Sequence, residues 1–398
     1  MSQQSALTKS RVQSIDILRG IVMIIMALDH VRDFFHIGAF QSDPIDPATS
    51  YPTLYFTRWI THLCAPTFVF LAGTSSYLVG LRKTKAALSS FLIKRGLWLI
   101  LVEVIVVTLA LTFNPLYNML VLQVIWAIGI SMVILGLAVR LPYAAIFTIG
   151  LIIVLGHNLL DYPEATVPNR QLGFWWDLLH GSRFAAYPYA ANHIVLIVYP
   201  FLPWTGLMLM GYCAGKLFTE QFTSIQRRKT LFYMGTGLIL LFLLLRFINA
   251  YGDPAPWTTQ ASTTRTIMSF FNVNKYPPSL MYTCITIGIS LIGLALLENV
   301  QNPAGEFAKI FGRVPFFYYV LHFFLIHAIT VILFYLSGYG AKDIVSPQVP
   351  FLFRPVQFGY PLWAVYLIWI GVFLLLYPLC KWYNRYKSTH HHWWLSYL

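Results

Sequence analysis

Ser14-Ile-Asp-Ile-Leu-Arg19-Gly20-Ile-Val-Met-Ile-Ile-Met-Ala-Leu-Asp29-His30 is an apolar run of membrane-crossing character that nevertheless holds four ionisable side chains. On a helix, with 100° and ~1.5 Å per residue, Arg19 and His30 fall within roughly 20° of one face and about 16 Å apart along the axis. Ionisable groups are costly inside lipid, so those that persist in a span are functional candidates by default. An extended molecule could be held by the arginine at one end and the imidazole at the other.

The rest of the chain has the same lipid character. Of 398 residues, 58% are hydrophobic and only 10% are charged, against the roughly 25% charged of an average soluble domain. Mean hydropathy is +0.65. Apolar stretches that suit a ~30 Å hydrocarbon core occur near 15–35, 62–81, 96–113, 116–139, 141–160, 194–215, 230–249, 278–297, 314–337 and 359–380. The expected fold class is an all-α polytopic membrane protein, a bundle of about ten transmembrane helices.

Orientation follows from lysine and arginine, whose excess marks cytoplasmic loops. One side collects seventeen, Lys9, Arg11, Arg82, Lys83, Lys85 and Arg140 among them, against three glutamates. The other side has eight, including Arg170, Arg183 and Lys275, balanced by eight acids. Both termini are therefore expected in the cytoplasm. The +13 net charge reflects topology, and no clustered solvent-facing basic stripe points to nucleic acid.

Cys64, Cys213, Cys284 and Cys380 fall inside spans with no CxxC or histidine spacing, so neither a disulfide framework nor a metal site is expected. The first span lacks a small-residue cleavage site after it and is expected to stay in the mature protein. Two loops are long, Asp161 to His193 and Ala250 to Pro277, and long loops are usually functional. Within the first, Phe174-Trp-Trp-Asp-Leu-Leu-His180 reads as a short interfacial helix. No five-plus-five inverted repeat is visible. His390-His-His392 beside Trp393 and Trp394 reads as an interfacial tail.

His30 is the leading candidate base, because its ordinary pKa suits proton transfer near neutrality. Asp33, at i+3, is placed to orient its ring, and Asp29 to pair with Arg32; a merely polar helix end is the alternative. Arg19 either binds an anionic group, as a guanidinium does well, or pairs locally with Asp16. Glu103 could balance Arg19 or Arg246. His62 lies at the depth of His30, with Pro66 to bend the helix, and Gly73-Thr-Ser-Ser76 forms a small patch for close helix approach. In span nine, His322 beside Tyr319 is favoured over His327 to face a cavity. Asn192, His193, Tyr199 and Lys275 are candidate substrate contacts, with loop architecture as the equal alternative.

Four blocks carry a resemblance: Ser14-Ile-Asp-Ile-Leu-Arg19-Gly20 through Asp29-His30, Ala65-Pro-Thr-Phe-Val-Phe-Leu-Ala-Gly73, Lys275-Tyr-Pro-Pro-Ser-Leu280 and Gly312-Arg-Val-Pro-Phe-Phe-Tyr-Tyr-Val-Leu-His322. In order and over nearly the whole chain, they resemble the bacterial branch of the heparan-α-glucosaminide N-acetyltransferase catalytic-domain family. The Arg19 to His30 spacing is also similar to a motif of the acyltransferase-3 family.

The resemblance implies a transmembrane acyltransferase domain over 14–380 between cytoplasmic tails 1–13 and 381–398. It implies acetyl-CoA as donor without metal, an extracytoplasmic sugar or glycan as acceptor at nitrogen or oxygen, a bacterial inner-membrane location and a homodimer. His30 would be the catalytic histidine, with His36 and His62 as rivals, helped by Asp29 and Asp33. Arg19, Arg82, Lys83, Arg95 and Arg313, with Lys85 beside them, would hold coenzyme A. His322, Tyr319, Asn192, His193 and Lys275 would meet the acceptor. A transporter or lipid flippase is the rival reading, in which the same polar residues line a path and no bond breaks. A sensory or scaffolding protein is the third.

Overall fold

The computed structural model describes residues 12–167, 172–181, 184–390, 392 and 395. Lys9, Arg11, Arg170, Arg183, His391, Trp393 and Trp394 lie outside the described residues.

Apolar composition and well-placed stop signals build a helical bundle. Its long elements are α1 (Gln13–Phe35), α2 (Pro52–Gly80), α3 (Lys85–Thr112), α4 (Val124–Ala138), α5 (Tyr143–Ala165), α6 (Phe201–Ala214), α7 (Ser224–Ile248), α8 (Thr263–Phe271), α9 (Leu280–Leu297), α10 (Pro303–Arg313), α11 (Pro315–Leu336) and α12 (Leu362–Thr389). Helix starts carry the residues that free N–H groups require. Thr84 accepts from Ala87 N at 3.2 Å, Ser279 from Tyr282 N at 3.0 Å and Asn302 from Gly305 N at 2.8 Å. Proline opens α2, α10 and α11, where its missing donor costs nothing.

Among the described residues, seven helices are long and apolar enough to cross a membrane: α2, α3, α5, α7, α9, α11 and α12. The three other expected spans differ for identifiable reasons. Span 15–35 is helical as α1, but Asp16, Arg19, Asp29, Arg32 and Asp33 make it too charged for that class. Stretches 116–139 and 194–215 each begin as a strand, β1 (Met119–Leu122) and β3 (His193–Ile197), and turn helical only at Val124 and Phe201.

The chain is therefore not all-α. The two strands pair in parallel, Met119 opposite Ile194, and β2 (Ala185–Ala190) adds antiparallel to β3. Backbone that leaves a helix in an apolar setting must find partners for its N–H and C=O groups, and the three-stranded sheet supplies them.

Helix α1 sits inside the bundle, in contact with α2, α9, α10, α11 and α12. Its crossing with α10 is backbone to backbone: a Cβ at Gly20 would lie 1.8 Å from the Ala308 carbonyl oxygen, and one at Gly312 1.8 Å from that of Asp16. In α2, Thr74 Oγ1 donates to Gly211 O of α6 at 2.9 Å, so the small patch does bring helices together. The turn tightens over Thr61–Leu63, just ahead of Pro66. All four cysteines are buried and free.

Candidate active site

Packing α11 beside α1 brings His30 and His322, which are 292 positions apart in sequence, into contact. His30 Nδ1 lies 2.6 Å from His322 Nε2, with ring centroids 4.9 Å apart. The opposite nitrogen of His322, Nδ1, faces the carbonyl oxygens of Tyr318, at 3.2 Å, and Tyr319. Carbonyl oxygens only accept, so His322 Nδ1 must carry the proton and Nε2 is a lone pair. His30 Nδ1–H donates to it, which makes His30 Nε2 the basic atom of the pair. No described residue bonds His30 Nε2.

That imidazole lines a cavity of about 670 Å³ with His62, Arg58, Tyr199, Lys275, Tyr276 and Phe323. The cavity opens at the end of the bundle that holds the sheet; Val121, Leu196 and Val198 form part of its wall. On the far side of the histidine pair lies a second cavity of about 430 Å³, lined by Arg19, Ser75, Arg95, Arg313, Tyr319 and Lys387 among others. Tyr319 faces one and Phe323 the other, a single helical turn away, with His322 between them. The partition is therefore about 6 Å of helix thick. A groove of about 1080 Å³ adjoins the second cavity through Val12, Leu78 and Val79, and Arg82, Lys83 and Arg227 line it.

Several buried polar atoms are left open at the partition. Among the described residues, both ring nitrogens of His62 and the hydroxyls of Tyr318 and Tyr319 have no hydrogen-bond partner. Tyr319 Oη belongs to a residue that lines the basic cavity, and its ring stands edge-on to His30 at 6.3 Å.

Charge around the site is organised by Asp29. It accepts from Arg32 at 3.0 Å and from Arg58 at 2.9 Å, joining α1 to α2. Arg32 also bonds Asp33 at 2.7 Å, so the Asp29–Arg32 pair forms, while the ring of His30 is oriented by His322 and not by Asp33. The Lys275 ammonium lies over the rings of Tyr276 and Tyr199, at 5.1 and 5.9 Å, and makes no ion pair among the described residues. Its loop is held by Asp253, which accepts from Asn274 N at 2.8 Å and the Ser279 hydroxyl at 2.7 Å. Burial pushes the Asp253 carboxyl up from its ordinary range, against those two donors and the Ala255 N–H.

The remaining candidates separate. Arg19 meets Asp16 at 3.3 Å, Gly312 O at 3.1 Å and Ser75 Oγ at 2.9 Å, so the local pair exists on the wall of the basic cavity. Arg82 and Lys83 line the adjoining groove, whereas Lys85 bonds the carbonyls of Arg140 and Leu141. Asn192 and His193 sit at the tip of the β2–β3 hairpin and line neither cavity; His193 bonds Ala191 O at 2.6 Å and Leu116 O at 3.3 Å. His36 meets Tyr51 and Gly38 N away from both cavities. His327 is stacked on Phe113.

Glu103 balances neither arginine: it accepts from Gln123 N at 2.9 Å, and Arg246 is satisfied by the carbonyls of Ala255, Ser269, Phe270 and Asn272. The Phe174–His180 segment is a single turn, Phe174–Trp176, followed by a wider one over Asp177–Gly181, with Trp175 exposed but Asp177 and His180 buried. Tyr199, at the start of the sixth apolar stretch, does line the sheet-end cavity. Lys387 was not anticipated at a cavity; the basic character of the C-terminal stretch was the available signal.

Residues 11–245, more than half of the chain, match the family model described as heparan-alpha-glucosaminide N-acetyltransferase, catalytic. The match contains Arg19, His30 and His62 and ends before Lys275, Tyr319 and His322. No curated protein matches the chain.

Proposed function

Starting from the chain's membership of the heparan-alpha-glucosaminide N-acetyltransferase catalytic family, we propose that it moves an acetyl group from acetyl-CoA to an amino or hydroxyl group of a glycan, with His30 as general base. The observation that supports this most is the histidine pair between two cavities, with the basic nitrogen, His30 Nε2, left to the sheet-end cavity.

In this reading the basic end is cytoplasmic and the sheet end extracytoplasmic, following the excess of lysine and arginine, in a bacterial inner membrane. The nucleotide of coenzyme A occupies the groove of Arg82 and Lys83, and the pantetheine arm runs past Arg19, Arg95 and Arg313 toward Tyr319. About 16 Å of α1 between Arg19 and His30 suits that arm. The acceptor enters the other cavity beside His62, Tyr199 and Lys275.

His30 Nε2 takes the proton of the acceptor O–H or N–H as its lone pair attacks the thioester carbonyl carbon. The Tyr319 hydroxyl, which has no partner among the described residues, donates to the oxygen on which charge develops. The C–S bond breaks, the acetyl group stays on the acceptor, and the coenzyme A thiolate recovers the proton from the imidazolium. His322 holds the ring of His30 and its tautomer.

Full-length protein in lipid nanodiscs, given radiolabelled acetyl-CoA with glucosamine or glucose as acceptor, tests the reading. Wild type transfers label, and His30→Ala loses about 10²–10⁴-fold in turnover while still binding coenzyme A. Equal turnover in the variant refutes His30 as base. Failure of wild type to bind coenzyme A refutes the acyl-transfer reading and favours translocation.

A further inference from the structure

A cluster apart from both cavities lies where α5 ends. His157, Asn158, Asp161 and Glu164 follow one another at helical spacing, and the turn over Asp177–Gly181 folds His180 back onto them. Asp161, Glu164 and His180 each present one ligand atom, and these atoms all lie within 4.8 Å of one another. All three are buried, Glu164 and His180 almost completely.

We propose that Asp161, Glu164 and His180 form a divalent transition-metal site whose role is to tie the end of α5 to the segment that leads into β2. A cation ~2.1 Å from each ligand needs donor atoms roughly 3–4 Å apart, so binding would draw the three side chains together from separations of up to 4.8 Å. One imidazole nitrogen and two carboxylates suit zinc, with manganese next, and three protein ligands leave a position for water.

Each of the three side chains is already held by a neighbour. Ligands of a metal are held by outer hydrogen bonds that fix their orientation, and each of these has one. Asn158 Nδ2 donates to Asp161 Oδ2 at 2.7 Å, Trp176 Nε1 to Glu164 Oε1 at 2.9 Å, and His180 Nε2 faces His157 Nδ1 at 3.0 Å. With Nε2 so engaged, His180 Nδ1, 2.6 Å from Glu164 Oε1, is the atom turned to the carboxylates.

An independent sign of missing positive charge is Asp177. It is fully buried; its Oδ2 accepts from the Tyr187 hydroxyl, but its Oδ1 has no partner among the described residues, and a methyl at Gly181 would lie 2.7 Å from that oxygen and 3.4 Å from Glu164 Oε1. Two buried carboxylates thus stand together, and among the described residues no lysine or arginine pairs with either. Buried charge of one sign is expensive unless compensated or bound to a metal.

The site is linked to the sheet-end cavity without forming it. Asn158 Oδ1 accepts from Leu280 N at the start of α9, and β2 is preceded by Phe184, which lines that cavity.

The test is metal analysis of the purified full-length protein, with thermal unfolding before and after chelation. About one zinc per chain is expected, together with a fall in Tm on treatment with dipicolinate that Zn²⁺ reverses and Mg²⁺ does not. Glu164→Gln should lose the metal, and Trp176→Phe should weaken zinc binding about tenfold. The proposal is overturned if wild type holds no transition metal and its Tm ignores both chelator and Zn²⁺, leaving a hydrogen-bonded cluster only. Undiminished zinc in Glu164→Gln overturns it too. The wild-type measurement decides even if neither variant folds, and it is independent of acetyl transfer.

Discussion

His30 and His322 share one proton position across 2.6 Å, and the direction of sharing is fixed by the backbone: the Tyr318 and Tyr319 carbonyls occupy the other side of His322. In the proposed reaction His322 would act on the acceptor through His30, as a positioning residue. His322→Ala should lower kcat about 10²-fold with little change in KM for acetyl-CoA. His322→Gln, whose side-chain oxygen can accept in place of Nε2, should recover part of the loss. Steady-state kinetics of the two variants check this; equal kcat in both would remove the positioning role.

Asp29 compensates two arginines, whereas Asp33 is about one-third exposed and shares Arg32 with it. Removing one partner of a buried pair leaves an uncompensated charge at a cost of about 3–5 kcal/mol. Asp29→Asn should lower Tm markedly and Asp33→Asn only slightly, as read by thermal unfolding in detergent. A larger effect at Asp33 would contradict this charge arrangement.

The α1–α10 crossing has no room for a side chain at Gly20, where a methyl group would penetrate the Ala308 carbonyl. Gly20→Ala should destabilise by at least the ~1–3 kcal/mol of core overpacking. Gly237→Ala in α7, with nothing within 4 Å of its Cβ position, is the matched control and should be tolerated. Comparable unfolding temperatures for the two variants would mean that the helices separate at no cost.

Because burial raises the Asp253 carboxyl above its ordinary range, the folded chain favours its protonated form. Its stabilising contribution is complete below the unfolded pKa and is lost as pH rises through the folded value. The Tm of wild type minus that of Asp253→Asn should therefore fall as pH rises above the ordinary aspartate range. A difference that grows with pH would show that the donors from Asn274, Ser279 and Ala255 outweigh burial.

Much of this chain could be read from local pattern. Seven of the ten apolar stretches became helices of crossing length, because hydrophobicity over some twenty residues leaves a buried backbone few alternatives to the helix. The pairing of Asp29 with Arg32 and of Arg19 with Asp16 was equally legible, since i and i+3 share a face. The stretches 116–139 and 194–215 misled because an apolar run does not reveal that another run elsewhere will pair with it as a strand. The cluster at α5 had a visible half, His157, Asp161 and Glu164 on one face, but its other half, His180, arrives by a fold of the intervening chain.

What the sequence by itself determined is a lipid-adapted helical chain with Arg19 and His30 on one face of its first helix, for these follow from composition and the 3.6-residue period. Only the tertiary structure decided that His322, and not Asp33, meets His30, that Lys275 rests on tyrosines, and that two cavities stop one helical turn apart. The His30–His322 contact joins residues 292 positions apart, and its geometry depends on how helices cross, which no local spacing encodes.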